Sequence, residues 1–201
     1  MWKKLLFWLL AVLITLSTAV YQRMTGPTYP KSYDFKMEDT SYDFKLPRSQ
    51  NGITDAMISI EIPDAGIDGE VTYKRFKSMD AFETIKMHRE NEELVVWLPK
   101  QPAAGKLEYG VRIFNTENET IFKTPENIVI RFKDNVPPFI LIPHVLLIFI
   151  AMLLSNLTGF YAIARLQSYK FYTMLTLIFF LFGGMIMGPI LQKYAFGEFW
   201  T

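Results

Sequence analysis

From Val136 to Gly197 the chain carries no carboxylate, and its only fixed charges there are Arg165, Lys170 and Lys193. A charge at the centre of a bilayer costs roughly 2.5–3.5 kcal/mol even on lenient insertion scales, so a stretch that avoids charge this consistently reads as solvated by lipid. The acids are elsewhere. Residues 25–136 hold 19 of the 20 Asp and Glu, with 15 of the 21 Lys and Arg. That segment is therefore mildly acidic at −4, while the rest of the chain is basic. An acidic domain does not suit nucleic acid, whose phosphates need a basic patch.

Three apolar runs frame this charged segment. Leu5–Val20 follows Lys3 and Lys4 and precedes Arg23. Its length lies between the core of a signal peptide and a full span of about 20 residues, and Ser17 and Ala19 form a small-x-small pattern. Residues 1–24 thus read as a membrane anchor or a signal segment. Residues 137–164 and 171–194 read as transmembrane helices, joined by a basic loop at 165–170. By the positive-inside rule, Lys3, Lys4, Arg165 and Lys170 lie on the cytoplasmic side and residues 25–136 outside. Residues 195–201 form an outside aromatic tail, with Phe196, Phe199 and Trp200 suited to an interface.

Residues 25–136 alternate apolar and polar positions between turn signals, the mark of half-buried strands. Ser-Tyr-Asp-Phe-Lys occurs at 32–36 and again at 41–45, flanking Glu38-Asp39, which predicts a hairpin. Further strands are expected at 57–62, 70–76, 82–87, 94–98, 106–114, 120–123 and 128–132. Eight or nine strands at this spacing suggest an antiparallel β-sandwich of fibronectin III or immunoglobulin type, so the expected fold class is an all-β ectodomain plus transmembrane α-helices.

The chain has no cysteine and two histidines, His88 and His144. That removes disulfides, thiolate metal sites and cysteine nucleophiles. No P-loop, dinucleotide fingerprint, nucleophile elbow or zinc motif occurs, which favours a protein that is not an enzyme. Asp55, Asp64 and Asp68 do not have the spacing of a calcium loop. His88, Arg89, Glu90, Glu92 and Glu93 read as a solvated hairpin turn. No cofactor is expected, with haem or a metal at His144 as the alternative.

On a helical wheel, Ala151, Ser155, Thr158 and Ala162 fall on one small and polar stripe with His144. Gly184 and Gly188 form a small-xxx-small pair in the following helix. Such stripes let backbones approach closely in lipid, so these residues are expected to pack the two helices, or else to line a groove. Pro189 lacks an N–H for Met185 and predicts a kink over 183–189.

The segment Leu98-Pro99-Lys100-Gln101-Pro102-Ala103-Ala104-Gly105-Lys106-Leu107-Glu108-Tyr109 resembles the tyrosine corner of fibronectin III domains. By that resemblance the Tyr109 hydroxyl would bond backbone upstream within the corner. Together with Thr25-Gly26-Pro27-Thr28-Tyr29-Pro30 and the closing residues 192–200, it is similar to an uncharacterised family of bacterial multi-pass envelope membrane proteins. The resemblance implies an inner (plasma) membrane location, an outside domain and a chain that continues beyond Thr201, but no catalytic residues. Two readings follow. One is a non-catalytic envelope protein whose partners are the lipid bilayer and other membrane or envelope proteins. The other is a membrane redox or transport component with a site near His144.

Overall fold

Alternation at period two becomes eleven described strands, and the apolar runs become helices, in a computed structural model that describes residues 2–37, 40–52 and 54–200. The chain divides into two compact units, residues 27–134 and residues 1–26 with 135–201.

In the first unit, β1 (Lys31–Met37) and β2 (Thr40–Leu46) pair antiparallel, with Tyr33 opposite Phe44 and Phe35 opposite Tyr42. The duplicated pentapeptide thus forms the two arms of one hairpin; its Glu38-Asp39 tip lies outside the described residues. Three of their rings meet Phe122: Tyr33 and Phe44 edge-on, with centroids 5.7 and 5.3 Å away, and Phe35 stacked at 5.8 Å. A six-stranded sheet runs β3 (Ser49–Asn51), β11 (Ile128–Lys133), β9 (Lys106–Asn115), β5 (Ile67–Arg75), β6 (Glu83–Lys86), and β10 (Thr120–Lys123) also pairs with β9. A three-stranded sheet runs β4 (Ala56–Glu61), β8 (Glu93–Leu98), β7 (His88–Glu90). The short strands β3 and β7 carry too little apolar alternation to show in the sequence.

One apolar core joins the hairpin and both sheets. Ile58 and Ile60 of β4, Leu94, Val96 and Leu98 of β8, Val71 of β5, Leu107, Tyr109, Val111 and Ile113 of β9, and Ile130 and Phe132 of β11 are all buried in it. On the opposite side of β5 and β9, Glu70 faces Arg112 and Lys74 faces Glu108 across the ladder, each pair linked by an ion pair at 3.0 and 3.4 Å. Inward apolar and outward paired charge make β9 the spine of the unit.

Two polar groups tie connections to this frame. The Tyr109 ring is wholly buried, and its hydroxyl donates to the Pro47 carbonyl at 2.8 Å. Burial pushes this phenol well above its ordinary range, so it stays a donor. Its acceptor is in the link between β2 and β3, not in the 98–105 segment expected by resemblance. That segment closes its own turn instead, with Gly105 donating to Pro102 at 2.8 Å and Ala104 in the left-handed region at φ 66°. Arg89 is no free surface charge: its guanidinium donates to the carbonyls of Ile62, Asp64 and Ile67 at 2.6, 2.9 and 2.6 Å. It gathers three carbonyls at the β4–β5 connection. His88 beside it stacks on Trp97 at 4.9 Å.

The second unit holds three helices long and apolar enough to cross a membrane, Trp2–Thr25, Pro138–Ile163 and Tyr169–Phe196. The first is α1 and the second α2. The third consists of α3 (Tyr169–Phe180), a π-helical turn over Leu181–Ile186 and α4 (Met187–Phe196). This π turn overlaps the segment 183–189 in which a kink was expected. A π turn reassigns backbone hydrogen bonds by one residue, which accommodates the donor that proline lacks. Ring pairs Phe7–Phe160 and Trp8–Tyr172, at 5.7 and 6.1 Å, bring the start of α1 to the end of α2 and the start of α3. The helices therefore run up, down and up, and Lys3, Lys4, Arg165 and Lys170 belong to one end of the unit.

Candidate functional site: a polar groove among the helices

Ala11 and Leu157 are fully buried where α1 meets α2. The small Ala11 brings the helices close enough for a hydrogen bond between them. Thr15 donates its hydroxyl to the Ala11 carbonyl at 2.7 Å and accepts from the Asn156 amide at 3.0 Å. Neither residue was singled out from the sequence. Their sequence separation of 141 residues leaves no local signal; an Asn within an apolar run was the only clue.

Beside this bond a groove of about 320 Å³ opens among the three helices, lined by Thr18, Ile148, Ala151, Met152, Ser155, Asn156, Thr176 and Phe180. Its polar groups are three hydroxyls and one carboxamide. Among the described residues no carboxylate, histidine or cation lines it, and it offers hydrogen bonds in an apolar wall. The Thr176 hydroxyl is turned back to the Tyr172 carbonyl at 2.9 Å. An uncharged ligand or a neighbouring helix with its own donors and acceptors is what this chemistry can hold.

The predicted stripe divides here. Ala151 is buried and Ser155 lines the groove from an exposed position, while Ala162 is exposed near the end of α2. The Thr158 hydroxyl is buried without a hydrogen-bond partner among the described residues. In the third helix the closest approach belongs to Gly183. A Cβ there would stand 2.7 Å from the Leu147 Cβ and 3.2 Å from the Ile148 nitrogen. At Gly184 a Cβ would meet the Phe180 ring at 3.2 Å and the Ile148 Cδ1 of α2 at 3.4 Å, and at Gly188 only the His144 Cε1, at 3.9 Å. The π turn rotates the residues after Phe180 relative to an ideal helix, moving the face that ideal periodicity assigns to Gly184 onto Gly183.

His144 stands against the same turn. Its Nδ1 lies 2.8 Å from the Gly183 carbonyl, and with an acceptor in that place Nδ1 carries the proton. Thus the lone intramembrane histidine of the sequence bridges α2 to the π turn. It does not reach the groove lining. Tested against known protein families and against curated proteins, the chain matches none.

Proposed function

We propose that the chain is a multi-pass protein of the bacterial inner (plasma) membrane whose residues 25–136 form a non-catalytic β-sandwich on the outer face and work through contacts with other envelope proteins. The observation that carries this reading is the separation of charge: 19 of 20 acids belong to the β-rich segment, and the helical unit retains only Glu198. A body so divided has one part suited to water and one suited to lipid. The common end of Lys3, Lys4, Arg165 and Lys170 supports the cytoplasmic assignment of that end. Two sheets around one core support the fibronectin III or immunoglobulin-like assignment.

A role through protein contacts suits sheets whose edges and loops are exposed. The test is site-specific photo-crosslinking in cells from exposed positions of the β unit, such as Trp97, Met57 and Met79, with cysteine labelling of the same sites from outside. Discrete protein adducts together with outside labelling are the expected result. Labelling only after membrane permeabilisation overturns the orientation, and absence of protein adducts from every position overturns the role.

A further inference from the structure

The end of the helical unit that carries the basic loop holds a second cavity, of about 760 Å³, lined by Ala162, Arg165, Gln167, Tyr169 and Lys170. We propose that this cavity is a binding site for the phosphate of an anionic phospholipid headgroup. The inference rests on the reading that the helices span a bilayer.

Charge carries the argument first. Within the helical unit the only carboxylate is Glu198, beyond the far end of the third helix. That helix has 28 residues, which at 1.5 Å each is about 40 Å. Arg165 and Lys170 therefore have no carboxylate of their own unit within reach, which leaves both cations open to an external anion. In a spanning helix pair, the loop between the two helices stands at headgroup level, where phosphates are the available anions.

Local structure carries it second. The α2–α3 reversal is a Schellman motif: Leu166 donates to the Tyr161 carbonyl at 2.9 Å and Arg165 to the Ala162 carbonyl at 3.0 Å. The motif places its pivot in the left-handed region, where glycine is the usual residue. Here the pivot is Arg165, at φ 53°. A cation is held where the backbone favours glycine, and it lines the cavity together with Lys170. A guanidinium offers a planar fork that matches two phosphate oxygens, and an ammonium adds a point charge. Gln167 and Tyr169 supply neutral donors in the same wall. The volume lies within the roughly 300–1,000 Å³ of small-ligand sites.

Native mass spectrometry of the full chain in a non-ionic detergent tests this. The probes are dioleoyl phosphatidylglycerol, phosphatidylcholine with the same acyl chains, and inorganic phosphate. One phosphatidylglycerol retained per chain, at concentrations where phosphatidylcholine is not, is the expected result. Arg165→Gly suits the left-handed backbone and so removes the cation while keeping the turn; combined with Lys170→Gln it should weaken phosphatidylglycerol binding about 30-fold, at about fivefold per cation. Lys3→Gln with Lys4→Gln, two charges at the same end but outside the cavity lining, should change it far less. Equal binding of both lipids, or an equal loss in the Lys3/Lys4 variant, overturns the site. Inorganic phosphate binding as tightly as the lipid overturns the headgroup assignment. Retention of all variants in the membrane fraction separates any of these failures from a failure of the spanning reading.

Discussion

The two units bury their apolar residues against different alternatives. In the β unit, the unfolded chain would expose Ile58, Leu94, Val111 and Phe132 to water, so their burial draws on the full hydrophobic effect. In the helical unit, Leu157 and Tyr161 would exchange a protein neighbour for a lipid tail of similar polarity. There the helices are held by close approach and a few hydrogen bonds. The same side chain therefore has a different worth in each unit. The sizes of the residues at the contacts follow: large branched residues fill the first core, whereas Ala11, Ala151 and Gly183 mark the tightest contacts of the second.

The comparison breaks most completely if the units cannot be separated. Residues 27–134 made alone should be soluble and fold to a β-rich spectrum by circular dichroism; a large helical signal, or a need for detergent, would refute the division. A matched pair of cavity mutations comes next. Leu94→Ala should cost the β unit about 3–5 kcal/mol, because both a transfer term and a cavity term apply. Leu157→Ala, equally buried, should cost the helical unit about half as much, since lipid replaces water as the reference. Chemical denaturation of the fragment and steric trapping of the full chain in micelles measure the two, and equal costs would remove the distinction.

Smaller effects sharpen it. Gly183→Ala should cost the helical unit about 1–3 kcal/mol by forcing Leu147 and the α2 backbone away. Gly188→Ala, whose Cβ would meet only the His144 ring at an ordinary contact distance, should change little. In the β unit, Tyr109→Phe should cost about 1–3 kcal/mol by stranding the Pro47 carbonyl. Asn156→Leu should cost only about 0.6 kcal/mol, the average worth of a hydrogen bond between helices in lipid. If Asn156→Leu exceeded Gly183→Ala, hydrogen bonds rather than close packing would hold the helices.

The smallest effect is a pH dependence of the β unit. Hydrogen bonds from Arg75, and then Ser78, hold the exposed Asp80 carboxyl near a pKa of about 2, below its usual 3.8. A carboxyl depressed on folding contributes stability above its unfolded pKa and loses it as pH falls through the folded value. The fragment should therefore weaken slightly more than Asp80→Asn does between about pH 4 and pH 2, by parallel thermal melts. Identical pH profiles would mean that the Arg75–Asp80 pair is screened by solvent.

Several elements were legible because one local rule governed each. The repeated pentapeptide announced the β1–β2 hairpin, period-two alternation marked Lys106–Asn115 and Ile128–Lys133, and Pro189 announced a fault in the third helix. Others depended on partners far along the chain. The acceptor for Tyr109 lies 62 residues away, in a connection with no motif. Arg89 looked like one charge among several in an exposed turn until the β4–β5 connection folded over it. In the helices, ideal periodicity assigned the contact to Gly184 and Gly188, whereas the tightest approach to α2 is at Gly183, with Gly184 beside it.

What the sequence determined by itself is the choice of solvent for each segment. Whether a residue prefers water or lipid is a property of its own side chain, summed over a run, and needs no knowledge of neighbours. Hence the acidic strand-rich segment, the three apolar helices and the common end of the four cations could all be read from the order of residues. The tertiary structure alone decided which groups meet: Tyr109 with Pro47, Asn156 with Thr15, His144 with the Gly183 carbonyl, and Arg165 with Lys170 around one cavity. Those pairings depend on register and on a single inserted turn. A hydrogen bond made or lost over one ångström is below the resolution of periodicity.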